Sequence, residues 1–501
     1  MTEAHGTATT ASRPETAWPL ENVLFSTALV AQRLPWADLP ARALGLDALT
    51  REGLTRRLVA HLRGGRDGRP VRLRTPFGTF LVPLTRADAE SLLTGADGAG
   101  ALGTASGLAA DGSRYALSPH AAPTGAWDVL TQDERDGLSA RVSQHLVRVS
   151  GARREDGTLD RDHWQATMLR LSRHVVLGAC AIDDTLLSEL VTAADAGVGA
   201  AAGRTDEARA AAVRWRLAPY VADPEPGSLT ARLAARGEGA PETYLSVAHA
   251  LALVSTAVGT SALHALALLG AGAVASGPDT GASTGGAGAV TPADGAVELA
   301  LDRYPPLPAV VYPVRAPLEA HGTAVGAGED ILYLPSLLGP RADGGRTDPA
   351  WSLCANPSGC AAARFAALVC REVVRGIAAD VRPVLLAPRI TGDRLPDTLD
   401  HRTLVLALAP SPGSGGTPDG SRAPSVADPS TAAPLSGYGA RAHGGADRLE
   451  RHAESLSACA ADTGWNGSEA GERFRMVLLE HAERCSRAAA DVRRAARWLA
   501  G

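Results

Sequence analysis

Residues 352–370 read SLCANPSGCAAARFAALVC, and the junction inside this stretch decides the fold. Cys354 to Gly359 holds an Asn-Pro and a Ser-Gly pair, the composition of a turn or loop. From Cys360 onward Ala, Arg and Leu run without a breaker, which predicts a helix. Cys360 therefore stands at a helix N-terminus, where free N–H groups and the macrodipole favour a thiolate. Two readings are open at this position. A thiolate so placed is a ligand for a soft or borderline metal. Equally, a small buried residue can start a packed helix, since free cysteine is among the most buried residue types.

Working outward, the longest feature is Tyr244 to Val274, which carries no charged residue and is apolar nearly all round. Its length permits a membrane span. However, His249, His264, Ser255, Thr256, Thr260 and Ser261 punctuate it, and no Lys/Arg cluster flanks it. A central helix buried in a large soluble protein is the better reading. Gly270 to Gly295 is of low complexity and predicts a flexible loop. Upstream, Val71–Thr75 and Phe80–Leu84 read as strands around Pro76-Phe-Gly78, followed by a Thr85-capped helix. Ala126 to Val149 reads as a helix with Leu130, Leu138, Val142 and Leu146 on one face. Trp164 to Ala179 reads as a buried helix, and Leu186 to Val213 as a looser Ala-rich one.

At 501 residues the chain holds a large core, and 45% hydrophobic residues mark it as globular. Only 5 phenylalanines are present, so Leu, Val and Ala must build that core. A net charge of -5, with no basic stripe interleaved with aromatics, argues against nucleic acid as a partner. The cysteines, Cys180, Cys354, Cys360, Cys370, Cys459 and Cys485, form no CxxC pair and no zinc spacing. Such usage suggests reduced thiols and a cytoplasmic location. Residues 1–17 are polar, with no apolar run of a signal peptide, and read as a disordered tail.

Cys360, Ala362 and Ala366, with Arg364 and Phe365 between them, resemble the haem-binding loop and following helix of the cytochrome P-450 family. The family's Cys and final Ala match, while Leu353, Asn356 and Ala362 replace its aromatic residue and two glycines. Arg303-Tyr-Pro-Pro-Leu-Pro308 is similar to the turn after the family's K helix. Gly322, Val325, Gly328 and Ile331 fit its next hairpin, and Arg389 to Leu406 resembles the C-terminal hairpin that closes its substrate pocket. Order and spacing agree from about Leu245 to Leu408 and more loosely from Trp18 to Tyr244. The resemblance implies a mainly α fold with small β regions over 18–409. It also implies haem b with Cys360 as axial ligand to iron, and monooxygenation of a small organic substrate with electrons from a separate redox partner. Cys360 must then face a cavity wide enough for a porphyrin.

By the same resemblance Tyr244 to Val274 is the helix that crosses the distal haem face. Thr256, Ala257 and Val258 fall near the family's acid–alcohol site, with no carboxylate, and Thr256 and Thr260 become the candidate catalytic residues. Trp127, Arg315 and Arg364 are the candidate cofactor-binding residues. Thr131 occupies the position of an arginine expected one turn after the tryptophan, and His120 is a substitute donor. The family's buried Glu-x-x-Arg pair aligns with Leu299 and Asp302, while Glu298 and Arg303 lie on different helical faces. A chain that has lost these groups reads alternatively as a non-catalytic helper on the same frame.

After Leu408, residues 410–445 read as a disordered linker. Asp447 to Ala461 and Ser468 to Leu499 then read as a helical hairpin over 446–501. With Trp465-Asn-Gly467 between its helices, it resembles the small secreted hairpin proteins of type VII secretion systems, and a docking hairpin for a protein partner is the plainer reading. Together with the 244–274 helix it supports a third alternative, a membrane or secretion-associated helical protein.

Overall fold

The computed structural model describes residues 13–31, 51–108 (except 67 and 77), 114–116, 127, 129–151, 158–195, 202–236, 240–274, 291–338 (except 308 and 321), 348–388 (except 355), 390, 395–396, 398–410 and individual positions between 446 and 494. The chain divides into two compact units, Met1–Ser414 and Gly415–Gly501.

Small sheets flank a helical core in the first unit. β1 (Val71–Thr75) and β2 (Gly78–Val82) form the expected hairpin, and Thr85 caps Arg86–Gly98 by accepting from the Asp88 N–H. They join β3 (Ser106–Leu108), β4 (Arg114–Ala116), β5 (Val310–Pro313) and, beyond the separate hairpin of β6 (Leu318–Ala320) and β7 (Thr323–Val325), β8 (Asp330–Tyr333). The strand order is β1-β2-β8-β5-β3-β4, parallel only between β2 and β8. β9 (Val381–Ala387) and β10 (Val405–Pro410) make a two-stranded antiparallel ribbon.

The long helix runs as Ala240–Ala252, a π-helical stretch Leu253–Val258, and Gly259–Gly270. Its segment Thr243–Gly270 is long and apolar enough to cross a membrane, yet 89% of its apolar window is buried inside the fold. Gly272, at φ +67°, turns the chain away two residues beyond the helix. The helix Ala361–Asp380 packs against it and against Gln132–Gly151, which buries Leu138, Val142 and Leu146.

Several boundaries differ from the sequence reading. The Ala-rich 186–213 stretch is covered by two helices, Thr185–Asp195 and Ala202–Ala222. The expected loop 270–295 ends in helix, because Thr291 accepts from the Asp294 N–H and caps Pro292–Arg303. Pro19–Ala31 forms a further helix. The C-terminal hairpin pairs Val381–Ala387 with Val405–Pro410, so its first strand lies upstream of Arg389, in a Val/Leu-rich segment suited to a strand.

In the second unit the described positions between 446 and 494 are helical. Ala446, Ala453 and Ala460, and likewise Ala482 and Ala489, are buried at seven-residue spacing. Arg493 joins the two stretches through Asp447 at 2.8 Å and Glu450 at 2.5 Å. Trp465-Asn-Gly467 and the segment 411–445 lie outside the described residues.

Candidate functional site

Three elements converge on Cys360. It is the N-cap of Ala361–Asp380 and is 2% exposed. Cys354 ends the short helix Pro349–Leu353, its N–H donating to the Ala350 carbonyl. Between them the chain turns on Asn356, whose backbone carbonyl accepts from the Gly359 N–H at 3.0 Å. Gly359 has φ +88°, a conformation that disfavours a side chain. The turn brings both sulfurs to one imidazole from the long helix. His249 Nε2 lies 3.2 Å from Cys354 Sγ and 3.4 Å from Cys360 Sγ. All three residues are buried, and their ligand atoms lie within 4.8 Å of one another.

The two thiols differ in acidity. A hydrogen bond from Cys354 holds Cys360 down at about 4 against the opposing effect of burial, with His249 and the Ala363 N–H adding to the stabilisation. Burial, reinforced by the thiolate next to it, pushes Cys354 well above the ordinary thiol range. Of the two, Cys360 is the more acidic.

The donor chemistry of Cys360 suits a haem iron, since an anionic sulfur is what a thiolate-ligated haem requires. In front of the sulfur stands His249, its Nε2 3.4 Å away, so the long helix packs against Cys360 in this structure. A cavity of about 210 Å³ does lie beside the long helix, but Cys360 is not among its lining residues.

Thr256 and Thr260 line that cavity together with Arg161, Trp164, Met168 and His401. The Thr256 hydroxyl donates to the Ala252 carbonyl at 2.7 Å, a back-bond within the π-helical stretch. Trp127 is fully buried but precedes the helix that was expected to carry it, which begins at Gln132. Its carbonyl accepts from Arg232 at 3.0 Å, and its indole Nε1 is buried with no hydrogen-bond partner among the described residues. Thr131 serves as an N-terminal cap for that helix, exchanging hydrogen bonds with Glu134. Arg315 is exposed just past β5, its N–H donating to the Ala101 carbonyl at 2.7 Å. Arg364 pairs with Asp348 at 2.6 Å and so ties the cysteine helix to the cap of Pro349–Leu353. His120 lies outside the described residues.

The positions of the missing Glu-x-x-Arg pair are bridged by other partners. Asp302 faces Arg86 at 3.3 Å, Glu298 faces Arg371 of the cysteine helix at 3.7 Å, and Arg303 donates to the Leu395 carbonyl at 3.1 Å. Tyr304 donates through its hydroxyl to the Pro396 carbonyl at 2.8 Å.

Reasoning from sequence put Cys360 at a helix mouth but did not join His249 and Cys354 to it. A histidine inside an uncharged helix and a second cysteine six residues before the first were the available signals. Nor did the sequence show that His145 Nε2 and His174 Nδ1 would meet at 3.0 Å in the core.

No protein-family model and no curated protein matches the chain. Among solved structures the chain is similar to cytochromes P-450. Against CYP154C4 from a Streptomyces species the identity is 15%, with 71% of this chain and 96% of the other covered, at a TM-score of 0.46. Against the open cytochrome P-450 EryK from S. erythraea the values are 14%, 74%, 99% and 0.49. Against CYP101J2 they are 14%, 70%, 92% and 0.48.

Proposed function

We propose that this chain is a P-450-like protein that keeps the family's cysteine in a closed, haem-free thiolate centre and works as a helper rather than an oxygenase. The observation that carries this reading is the contact of 3.4 Å between His249 Nε2 and Cys360 Sγ. It has further support. By the resemblance Thr256, Ala257 and Val258 fall near the acid–alcohol site, with no carboxylate among them, and the Thr256 hydroxyl is bonded to backbone. The Glu-x-x-Arg positions hold Leu299 and Asp302. In this reading 18–409 is the P-450-like domain, 410–445 a linker, and 446–501 the segment that docks a protein partner. The free cysteines among the described residues agree with a cytoplasmic protein.

A second reading is favoured by the placement of Cys360 at the N-terminus of a 20-residue helix, where hydrogen bonds from Cys354 and His249 favour its thiolate. It is the haem-thiolate oxidoreductase, acting on a small organic molecule with electrons from a separate redox partner. Haem b would be held by Cys360, and the sulfur would supply the electron density that favours oxygen-bond cleavage. For that, the long helix must lift His249 off the sulfur. Thr256 and Thr260 would then line the substrate side.

One spectrum decides between them. The full chain is expressed with a haem precursor and its absorption recorded reduced and under carbon monoxide. The haem-free reading expects no Soret band. A red-shifted band that disappears in Cys360→Ala overturns it in favour of the oxidoreductase.

A further inference from the structure

We infer that His249, Cys354 and Cys360 form a three-ligand site for a thiophilic divalent cation of the zinc class. The inference rests on the haem-free reading, since a metal ion held this way occupies the sulfur that haem would need.

The geometry carries it. Zinc bonds of about 2.3 Å to sulfur and 2.0–2.1 Å to nitrogen, at tetrahedral angles, put a sulfur and a nitrogen roughly 3.5 Å apart and two sulfurs roughly 3.8 Å apart. Here the two sulfur–nitrogen separations are 3.2 and 3.4 Å, and all three donor atoms fall within 4.8 Å. An ion at their centre needs the imidazole nitrogen and each sulfur to part by only a few tenths of an ångström. Once Cys354 releases its proton to solvent on binding, two thiolates and an imidazole are the donor set that selects zinc over oxygen-seeking cations.

The site is built rather than incidental. Its ligands come from a helix interior, a helix C-cap and a helix N-cap, and none is on a free loop. Asn356 and the left-handed Gly359 fix the turn between the two cysteines. Arg364 bonded to Asp348 locks the two short-range ends together, with a separation of 2.6 Å. Three protein ligands leave one position of a tetrahedron open to a small fourth ligand. The five-residue gap between Cys354 and Cys360 explains why no zinc spacing was visible in the sequence.

The full chain, purified without chelator under reducing conditions, is assayed for bound metal by mass spectrometry and titrated with cobalt as a zinc surrogate. About one zinc per chain and a thiolate-to-cobalt charge-transfer band are expected. His249→Ala and Cys354→Ser should each weaken cobalt binding at least ~10-fold, the lower limit set by loss of an outer-shell partner alone. Cys370→Ser, a buried cysteine of the same helix outside the cluster, should leave it unchanged. Folded wild-type protein with free thiols, no zinc and no charge-transfer band overturns the inference, as does a Cys354–Cys360 disulfide in alkylated protein from the cell. Neither result produces a Soret band, so failure of the metal site is distinguishable from failure of the haem-free reading.

Discussion

Arg86 and Asp302 form a buried tie between the helix that follows the first hairpin and the helix that leads into the Tyr304-Pro-Pro turn. The guanidinium is 1% exposed, stands 3.3 Å from the Asp302 carboxylate and donates to its backbone carbonyl at 2.9 Å. Asp302 occupies the position where the resemblance expects an arginine, so the cation now comes from another helix. Arg86→Met should destabilise the fold by about 3 kcal/mol, because it strands a partly buried carboxylate. The double variant Arg86→Met/Asp302→Leu should recover part of that loss, since neither charge is then left alone. Urea titrations of the four proteins check this. Strict additivity of the two single losses would rule out the tie.

His264 gives the fold an acid-sensitive point. Burial pushes its imidazole down to about 4, with His401 (ring centroids 6.2 Å apart) adding to the shift and Asp400 opposing it. The Tyr304 ring lies 5.5 Å from the imidazole, centroid to centroid. The folded chain therefore keeps His264 neutral, while the unfolded chain takes up a proton below about 6.5. Stability is unaffected above that pH and falls as pH drops from 6.5 to 4, by at most about 3 kcal/mol. His264→Phe should flatten this part of the stability profile relative to wild type. Equal slopes for the two proteins between pH 7 and 4.5 would remove the effect.

The hairpin and its capped helix were legible in the sequence because their signals are local: alternating strands, a turn, and Thr85 three residues before Asp88. The cysteine helix was legible for the same reason. What was hidden depends on contacts between distant segments. His249 and Cys360 are 111 residues apart in sequence, and nothing in either neighbourhood announces the other. Arg86 and Asp302, 216 residues apart, were hidden in the same way. The porphyrin slot was expected from resemblance alone. Whether a long helix sits above a thiolate or upon it is a matter of packing, and an alanine-rich helix permits the closer approach.

The long helix also yields a prediction about membranes. Its apolar length satisfies the requirement of a span, but 89% of that surface already packs inside the fold. Residues such as Ala262 and Leu266 are fully buried there and have no face left for lipid. Full-length protein should stay in the supernatant after high-speed centrifugation without detergent and should not float with neutral vesicles. Extraction only by detergent would reverse this reading.

Gly270 sets how closely the end of the long helix approaches the β9 ribbon. A Cβ added there would stand 2.8 Å from the Leu385 nitrogen and 3.2 Å from the Pro383 carbonyl oxygen. Both are backbone atoms of a paired strand, so they cannot swing aside as a side-chain end would. Gly270→Ala should therefore cost about 1–3 kcal/mol, even though alanine is the better helix former. Gly272→Ala is the informative contrast, because it meets no neighbouring atom within 4 Å yet sits at φ +67° and is strained by its backbone alone. If the ribbon contact sets the position of the long helix, Gly270→Ala should also shift the environment of His249, one of whose neighbours is the Cys360 thiolate. Monitored by the alkylation rate of Cys354 and Cys360 in folded protein, Gly270→Ala should open the centre while Gly272→Ala leaves it closed. Equal alkylation in both would mean that the helix end and the thiolate centre are not coupled.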